Sequence, residues 1–283
     1  MGVIGLAAAC GHFHHDRERN LARVATIIGH ARDAGAQVLV LPHATLGGYV
    51  GDPDAGSTAW ADALPAEDAV FDRIAALAGE LVVCLGYLES AGGRFHSSAV
   101  CLSGDGVLGR HREVHPPPAA PTGGPQLTAG ERLRAFDTPG GRLGMLVDRD
   151  KTFPETARCL AVDGAVVLAV LSAWPASGPR RTATVVHDPQ SRLFDLYDQA
   201  RAAENQVVVL SSNQSGGSGR HRFVGSAKVV GPQGDVLAST GARGGLAVAA
   251  LDVDHEVARV RAGHSHLAQR RPAVYSAGPG AVG

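Results

Sequence analysis

The chain has 283 residues, 45% hydrophobic and 19% charged, with a formal net charge of −1. That is enough apolar material for one large core, which excludes a disordered chain. A charge near zero gives no electrostatic footprint for nucleic acid or an anionic membrane.

Residues 2–10 read as a buried strand, not as a signal peptide, because no basic segment precedes the short apolar run. No apolar run reaches the ~18 residues that a membrane span needs. Residues 16–36 carry Leu21, Val24, Ile27, Ile28 and Ala31 at helical spacing, with Asp16 placed as N-cap. A buried strand over 37–43 is followed by a Gly/Pro-punctuated loop, a helix over 66–81 and a strand over 81–90. Strands over 95–103 and 106–115 flank Gly-Asp-Gly, a hairpin signal. The Pro- and Gly-rich tract 115–126 reads as an irregular loop. Strands return over 134–137 and 142–147. A helix over 154–164, a strand over 165–171, a long amphipathic helix over 190–205 and a strand from Gln206 follow. A hairpin over 223–240 and a last strand over 246–254 complete the elements. Residues 271–283 are assigned to a flexible tail outside a single domain spanning 1–270.

Continuous apolar strands separated by helices, with added hairpins, predict a mixed-sheet α/β layered domain with two stacked sheets. Cys10, Cys84, Cys101 and Cys159 form no C-x-x-C pair. They read as buried small hydrophobes in a reducing, cytoplasmic setting, with Cys159 facing the core. Of the 26 basic residues only two, Lys151 and Lys228, are lysine.

Several segments together are similar to the nitrilase superfamily of carbon-nitrogen hydrolases. "VLVLPHATLGGY" (38–49) resembles its Pro-Glu segment, and "GRHREVH" (109–115) its Tyr-Arg-Lys-x-His segment. "GRLGMLVDRDKTFPE" (141–155) resembles the segment containing Cys-x-Asp-x-x-Phe-Pro-Glu. "SAWP", "RAAENQVVVLSSN" and "GSAKVVGPQGDVLAS" match the downstream pattern, and the likeness runs over about residues 3–262. The resemblance implies a four-layer α-β-β-α sandwich, a homodimer or higher homo-oligomer, a small-molecule substrate and no cofactor.

The family's chemistry uses a Glu base, a Lys that stabilises the oxyanion and a Cys nucleophile. Here the matching positions hold His43, Glu113 and Asp148. The tract after Glu113 holds no acidic residue to match the supporting Glu often found there. A thiolate acyl-enzyme is therefore not expected. Two carboxylates in one buried site raise one pKa or admit a cation.

Three readings stay open. In the first, a repurposed enzyme, His43 is an acid/base group flanked by Asp148 and Glu113, acting on a small nitrogen-containing molecule in a specialised biosynthesis. In the second, the same three residues hold a divalent metal. The third is a pseudoenzyme serving as a binding or assembly module. Tyr49, His115, Arg149 and Trp174 are candidate substrate contacts, and Asp150 is a candidate turn anchor. Arg201 and Glu204 form a pair on one helix face. His12, His14 and His15 read as a solvated cluster near the pocket mouth, and His187 is left without a role.

Overall fold

In the computed structural model, which describes residues 2–49, 58–118, 125–177, 184–219 and 221–275, the first strand and helix follow the sequence pattern closely. Strand β1 is Ile4–Gly11 and helix α1 is Arg17–Asp33. The Asp16 carboxylate accepts a hydrogen bond from the Arg19 amide at 3.0 Å, satisfying one of the orphan donors of α1. Its buried face is Leu21, Val24, Ile28 and Ala31. Next come β2 (Ala36–Val40), the short α2 (Thr58–Ala61), α3 (Val70–Ala78), β3 (Val82–Ala91), β4 (Arg94–Ser103) and β5 (Gly106–Arg112). Helix α3 is shorter than the expected 66–81.

The second half runs β6 (Phe136–Thr138), β7 (Gly141–Val147), a 3-10 turn Asp148–Thr152, α4 (Pro154–Val162), β8 (Val167–Ser172), α5 (Pro189–Asn205) and β9 (Val208–Gln214). It ends with the two-residue β10 (Gly217–Ser218) and β11 (His221–Arg222), then β12 (Lys228–Val230), β13 (Val236–Ser239), β14 (Gly245–Leu251), α6 (Val253–Gly263) and α7 (Pro272–Tyr275). Helix α6 was not anticipated. Its signals are the Asp252 cap, which accepts from the His255 amide, and the pair Val253 and Val257 on one face. Within the expected tail, α7 forms a helical turn, and 276–283 lie outside the described residues.

The layers are those of an α-β-β-α sandwich. Strands β1–β5 bury one face under α1 and α3, through Leu39, Val83, Leu85, Ile28 and Ile74. Their other face, Val38, Val40, Cys84 and Cys101, meets Met145, Val147, Ala169 and Leu210 from the second half. That second half is covered in turn by α4 and α5 through Leu160, Ala161 and Ala202. The two β layers are not separate sheets. They join in one hydrogen-bonded path, β5-β4-β3-β2-β1-β9-β8-β7-β6. The junction is short, because β1 meets β9 only at Cys10↔Asn213 and Gly11↔Gln214. Elsewhere that edge of β1 pairs with β14. Strands β2, β7, β8 and β9 run parallel to a neighbour, so their carboxyl ends gather at one edge, where open α/β sheets keep their sites.

The cysteine reading needs one correction. Cys10, Cys84 and Cys101 are buried, but Cys159 is exposed. Helix α4 turns Thr156, Ala157, Leu160 and Ala161 inward, and position 159 falls on the opposite face. Among the described residues no helix is long and apolar enough to cross a membrane.

Candidate active site

His43, Glu113 and Asp148 converge. His43 lies three residues beyond β2, Asp148 directly follows β7, and Glu113 follows β5. The His43 backbone is fixed by the Gln214 side-chain amide, which donates to its carbonyl at 3.0 Å. Gly86 on β3 lets it approach, since a Cβ there would lie 2.6 Å from His43 Cα. Glu113 is held by main-chain bonds on both sides. Its amide donates to Ser97 O at 2.8 Å, and Gly130 N donates to its carbonyl at 2.7 Å.

Asp148 sits at φ +39°, a left-handed conformation that Asp tolerates better than most side chains. This places backbone strain at the convergence point. One carboxylate oxygen, Oδ1, accepts the Ala173 amide at 2.6 Å. The other, Oδ2, lies 2.5 Å from His43 Nδ1. That contact is an ion-pair distance, and Nδ1 makes no hydrogen bond. The other ring nitrogen, Nε2, is 2.9 Å from Ser97 Oγ. Side-chain exposure is 6% for His43 and 14% for Asp148, so Asp148 is the more open of the two.

Glu113 Oε1 accepts the Arg149 amide at 3.3 Å. Burial, and then the neighbouring Asp148 and Asp150 carboxylates, push its carboxyl well above the usual range and favour the protonated form. A carboxyl that binds its proton more tightly folded than unfolded stabilises the fold at low pH. That contribution is lost as pH rises above the unfolded value near 4.5. Glu113→Gln is therefore expected to raise stability at pH 8 by about 1–2 kcal/mol and to leave it unchanged near pH 4. Denaturant titrations at the two pH values check this, and an equal loss at both would refute it.

Asp150 is fully buried and anchors the turn. It accepts from His111 Nε2 at 2.7 Å, Val114 N at 3.0 Å, His115 N at 3.1 Å and Val147 N at 3.3 Å. His115 also turns Nδ1 to it at 3.2 Å and stacks on Phe153 with ring centroids 3.7 Å apart. His115 thus supports the turn from beside the trio. The Arg149 guanidinium donates to Pro116 O at 3.2 Å.

Trp174 packs against Phe194, Tyr197 and the Lys151 ammonium, and its indole N–H donates to Gln190 at 3.0 Å. Core packing accounts for its ring, while its neighbour Ala173 supplies the amide that holds Asp148. Tyr49 meets His221 and Phe223 edge-on. Half of the irregular loop 115–126, residues 119–124, lies outside the described residues. His12 and His14 bring their rings to 4.1 Å, and His15 Nδ1 lies 2.9 Å from Gly47 O. These histidines are half-buried, not a solvated loop. His187 is exposed, and Arg201 pairs with Glu204 at 2.7 Å as expected.

Among the described residues no group of three His, Cys, Asp or Glu side chains is arranged to hold a metal ion, so the geometry gives the metal reading of the trio no support. Sequence reasoning missed Ser97, Ala173 and Gln214. The only available signal was a polar pair, Ser97 and Ser98, inside an apolar strand.

The profile of the carbon-nitrogen hydrolase family matches residues 6–261, and the chain belongs to that family, the nitrilase superfamily. The chain is 28% identical over 272 residues to a Pseudomonas sp protein named (R)-stereoselective amidase, covering 95% of this chain and 90% of that one. A carbon-nitrogen hydrolase structure from Helicobacter pylori G27 superposes with a TM-score of 0.82 at 24% identity, covering 96% of this chain and 97% of that one. A Nesterenkonia AN1 amidase of the nitrilase superfamily gives a TM-score of 0.75 at 25% identity, with 96% and 95% covered.

Proposed function

We propose that this chain is an enzyme that transfers protons on a small, nitrogen-containing substrate, with His43 as the acid/base group and without a covalent thioester. The observation behind this reading is the convergence of three ionisable side chains at the strand ends, with His43 Nδ1 2.5 Å from Asp148 Oδ2 in a nearly closed site. Asp148 balances the charge of a protonated imidazole and is oriented for that role by the Ala173 amide. Glu113 supplies a second proton-binding group next to it.

The chemistry of this set differs from acyl transfer. A carboxylate at position 148 is a poor attacker of an amide, and position 113 holds a carboxyl in place of the ammonium that would stabilise an oxyanion. The Asp148 charge favours a cation, so the substrate class is an amine, amidine or other protonated nitrogen compound. The (R)-stereoselective amidase among the relatives supports a carbon-nitrogen centre in the substrate. A homodimer in the cytoplasm, serving a specialised biosynthesis, completes the proposal and rests on the family resemblance and the sequence reading.

A panel of small amines, amidines and amides incubated with the wild-type protein, and followed by mass spectrometry, tests the reading. Consumption of a cationic member with formation of an isomer, cyclised or dehydrated product is expected. Binding of several members with conversion of none overturns it in favour of a binding module.

A further inference from the structure

The segment that carries His43 leaves β2 through a strained turn. Ala44, the next residue, is buried and has φ +59°, in the left-handed region that a residue with a Cβ seldom adopts. Such a conformation persists only where its neighbours hold it. The neighbour here is Gln214, the last residue of β9, which is fully buried. Its amide nitrogen donates to His43 O at 3.0 Å and to Ala44 O at 3.4 Å, and its amide oxygen accepts the Phe13 amide at 3.0 Å. We infer that Gln214 is a positioning residue of the site: its amide ties the strained Ala44 turn to the segment after β1 and so keeps the His43 ring against Asp148. This rests on the reading of His43 as the acid/base group.

The position demands an amide. The main-chain N–H of Phe13 needs an acceptor, and the carbonyls of His43 and Ala44 need a donor. One planar glutamine group supplies both, and these partners fix which end is oxygen. A carboxylate would turn an oxygen toward two carbonyl oxygens, and a hydrocarbon would take a partner from three buried main-chain groups. The sheet places this amide. Gln214 pairs with Gly11 where β9 meets β1, and Ser215 N donates to Gly11 O at 2.8 Å. Two residues earlier, on the same face of β9, Ser212 Oγ donates to Leu41 O at 2.8 Å. Side chains of β9 therefore hold the chain leaving β2 at residues 41, 43 and 44.

Strand β3 brackets the same turn from the other side. Gly86 N donates to Pro42 O at 3.2 Å, and Leu46 N donates to Gly86 O at 3.2 Å. Gln214 takes the two carbonyls between those points. The His43 ring faces Asp148 Oδ2 at Nδ1 and Ser97 Oγ at Nε2. Gln214 is uncharged, so a neutral replacement acts on that ring only through its position. If the Ala44 peptide relaxes, the ring moves off the carboxylate, and the imidazolium loses the charge that favours it. Because Gln214 is fully buried and bonds main-chain groups, it acts through His43 and does not meet substrate.

The test is nuclear magnetic resonance of ring-labelled histidine in Gln214→Met, which keeps the length of the side chain and removes the amide. The His43 and His111 signals are assigned by their loss in His43→Gln and His111→Gln. Gln214→Met is expected to lower the His43 titration midpoint by about one pH unit. The ring signals of His111, which faces Asp150 from β5, stay in place. In the Ala44→Gly background, where glycine takes the left-handed turn without strain, the same change moves the His43 midpoint by less than about half as much. Gln214→Asn, one methylene too short to span Phe13 N and His43 O, gives the same comparison if the methionine variant does not fold. A His43 midpoint that does not move, a His111 signal that moves with it, or an equal shift in both Ala44 backgrounds overturns the assignment. The readout needs no substrate. A failed substrate search would therefore leave this result standing, and an unmoved midpoint would remove the role of Gln214 without touching the enzyme reading.

Discussion

Asp198→Asn lowers the unfolding free energy by about 3–5 kcal/mol, because it strands the buried Lys151 ammonium and takes one of two carboxylate partners from Lys228. The only two lysines of the chain meet at this carboxylate. Lys151 Nζ lies 2.9 Å from Oδ1 and Lys228 Nζ 2.8 Å from Oδ2. Lys228 has a second partner in Asp195 at 2.9 Å, on the outer side of α5. Lys151 and Asp198 are fully buried. The Lys151 ammonium also sits 3.1 Å from the Phe194 ring centroid and 5.2 Å from that of Trp174. The cluster ties the 148–152 turn to α5 and β12, so its loss reaches the elbow that carries Asp148.

Burial alone would raise the Asp198 carboxyl, but Lys151 and Lys228 outweigh it and hold it below the usual range. A depressed carboxyl contributes stability that is present above its unfolded value near 3.8 and lost as pH falls. Lys151 behaves oppositely. Burial lowers it to about 7 despite the pull of Asp198. Between about pH 7 and 10.5 the unfolded chain binds the proton that folded Lys151 has released, so this group makes stability rise with pH in that window.

Lys151→Met is thus expected to cost less than about 1 kcal/mol at pH 7, since it leaves one Lys228–Asp198 pair and fills an aromatic cage with an apolar chain. Guanidinium denaturation of both variants is the measurement. Equal losses in the two would show that the cluster acts as a packed unit and not through the charge imbalance argued above.

His43→Gln reduces turnover of the substrate found in the panel by about 10²–10⁴, with little loss of stability. Glutamine can hydrogen-bond to Ser97 but cannot carry a proton next to Asp148. The main-chain bond from Gln214 to His43 O and the close pass of Gly86 do not depend on the side chain, so the local fold is retained. If His43 and Asp148 act together, the His43→Gln/Asp148→Asn double variant loses no more than His43→Gln alone. Rate measurements on His43→Gln, Asp148→Asn and the double variant decide it. Unchanged turnover in His43→Gln would place the chemistry elsewhere in the site.

The amino-acid sequence by itself determined the parts that depend on neighbours in the chain. Apolar runs marked the buried strands, Asp16 marked the start of α1, and ordered motif segments located positions 43, 113 and 148 and their family. Those signals report which face of an element is buried, and they work because helix and strand repeats are local. Tertiary structure alone decided what happens at buried polar positions. The Lys151–Asp198 and Lys228–Asp198 contacts span 47 and 30 residues, and Ser97 reaches His43 across 54. No local pattern distinguishes a lysine that pairs in the core from one on the surface, or a strand serine that faces a histidine from one that faces solvent. The same limit applies to the joining of two β layers through two residue pairs of β1 and β9, and to the outward turn of Cys159. Each depends on which distant segment arrives opposite, and a buried polar group is stable only where that partner is present.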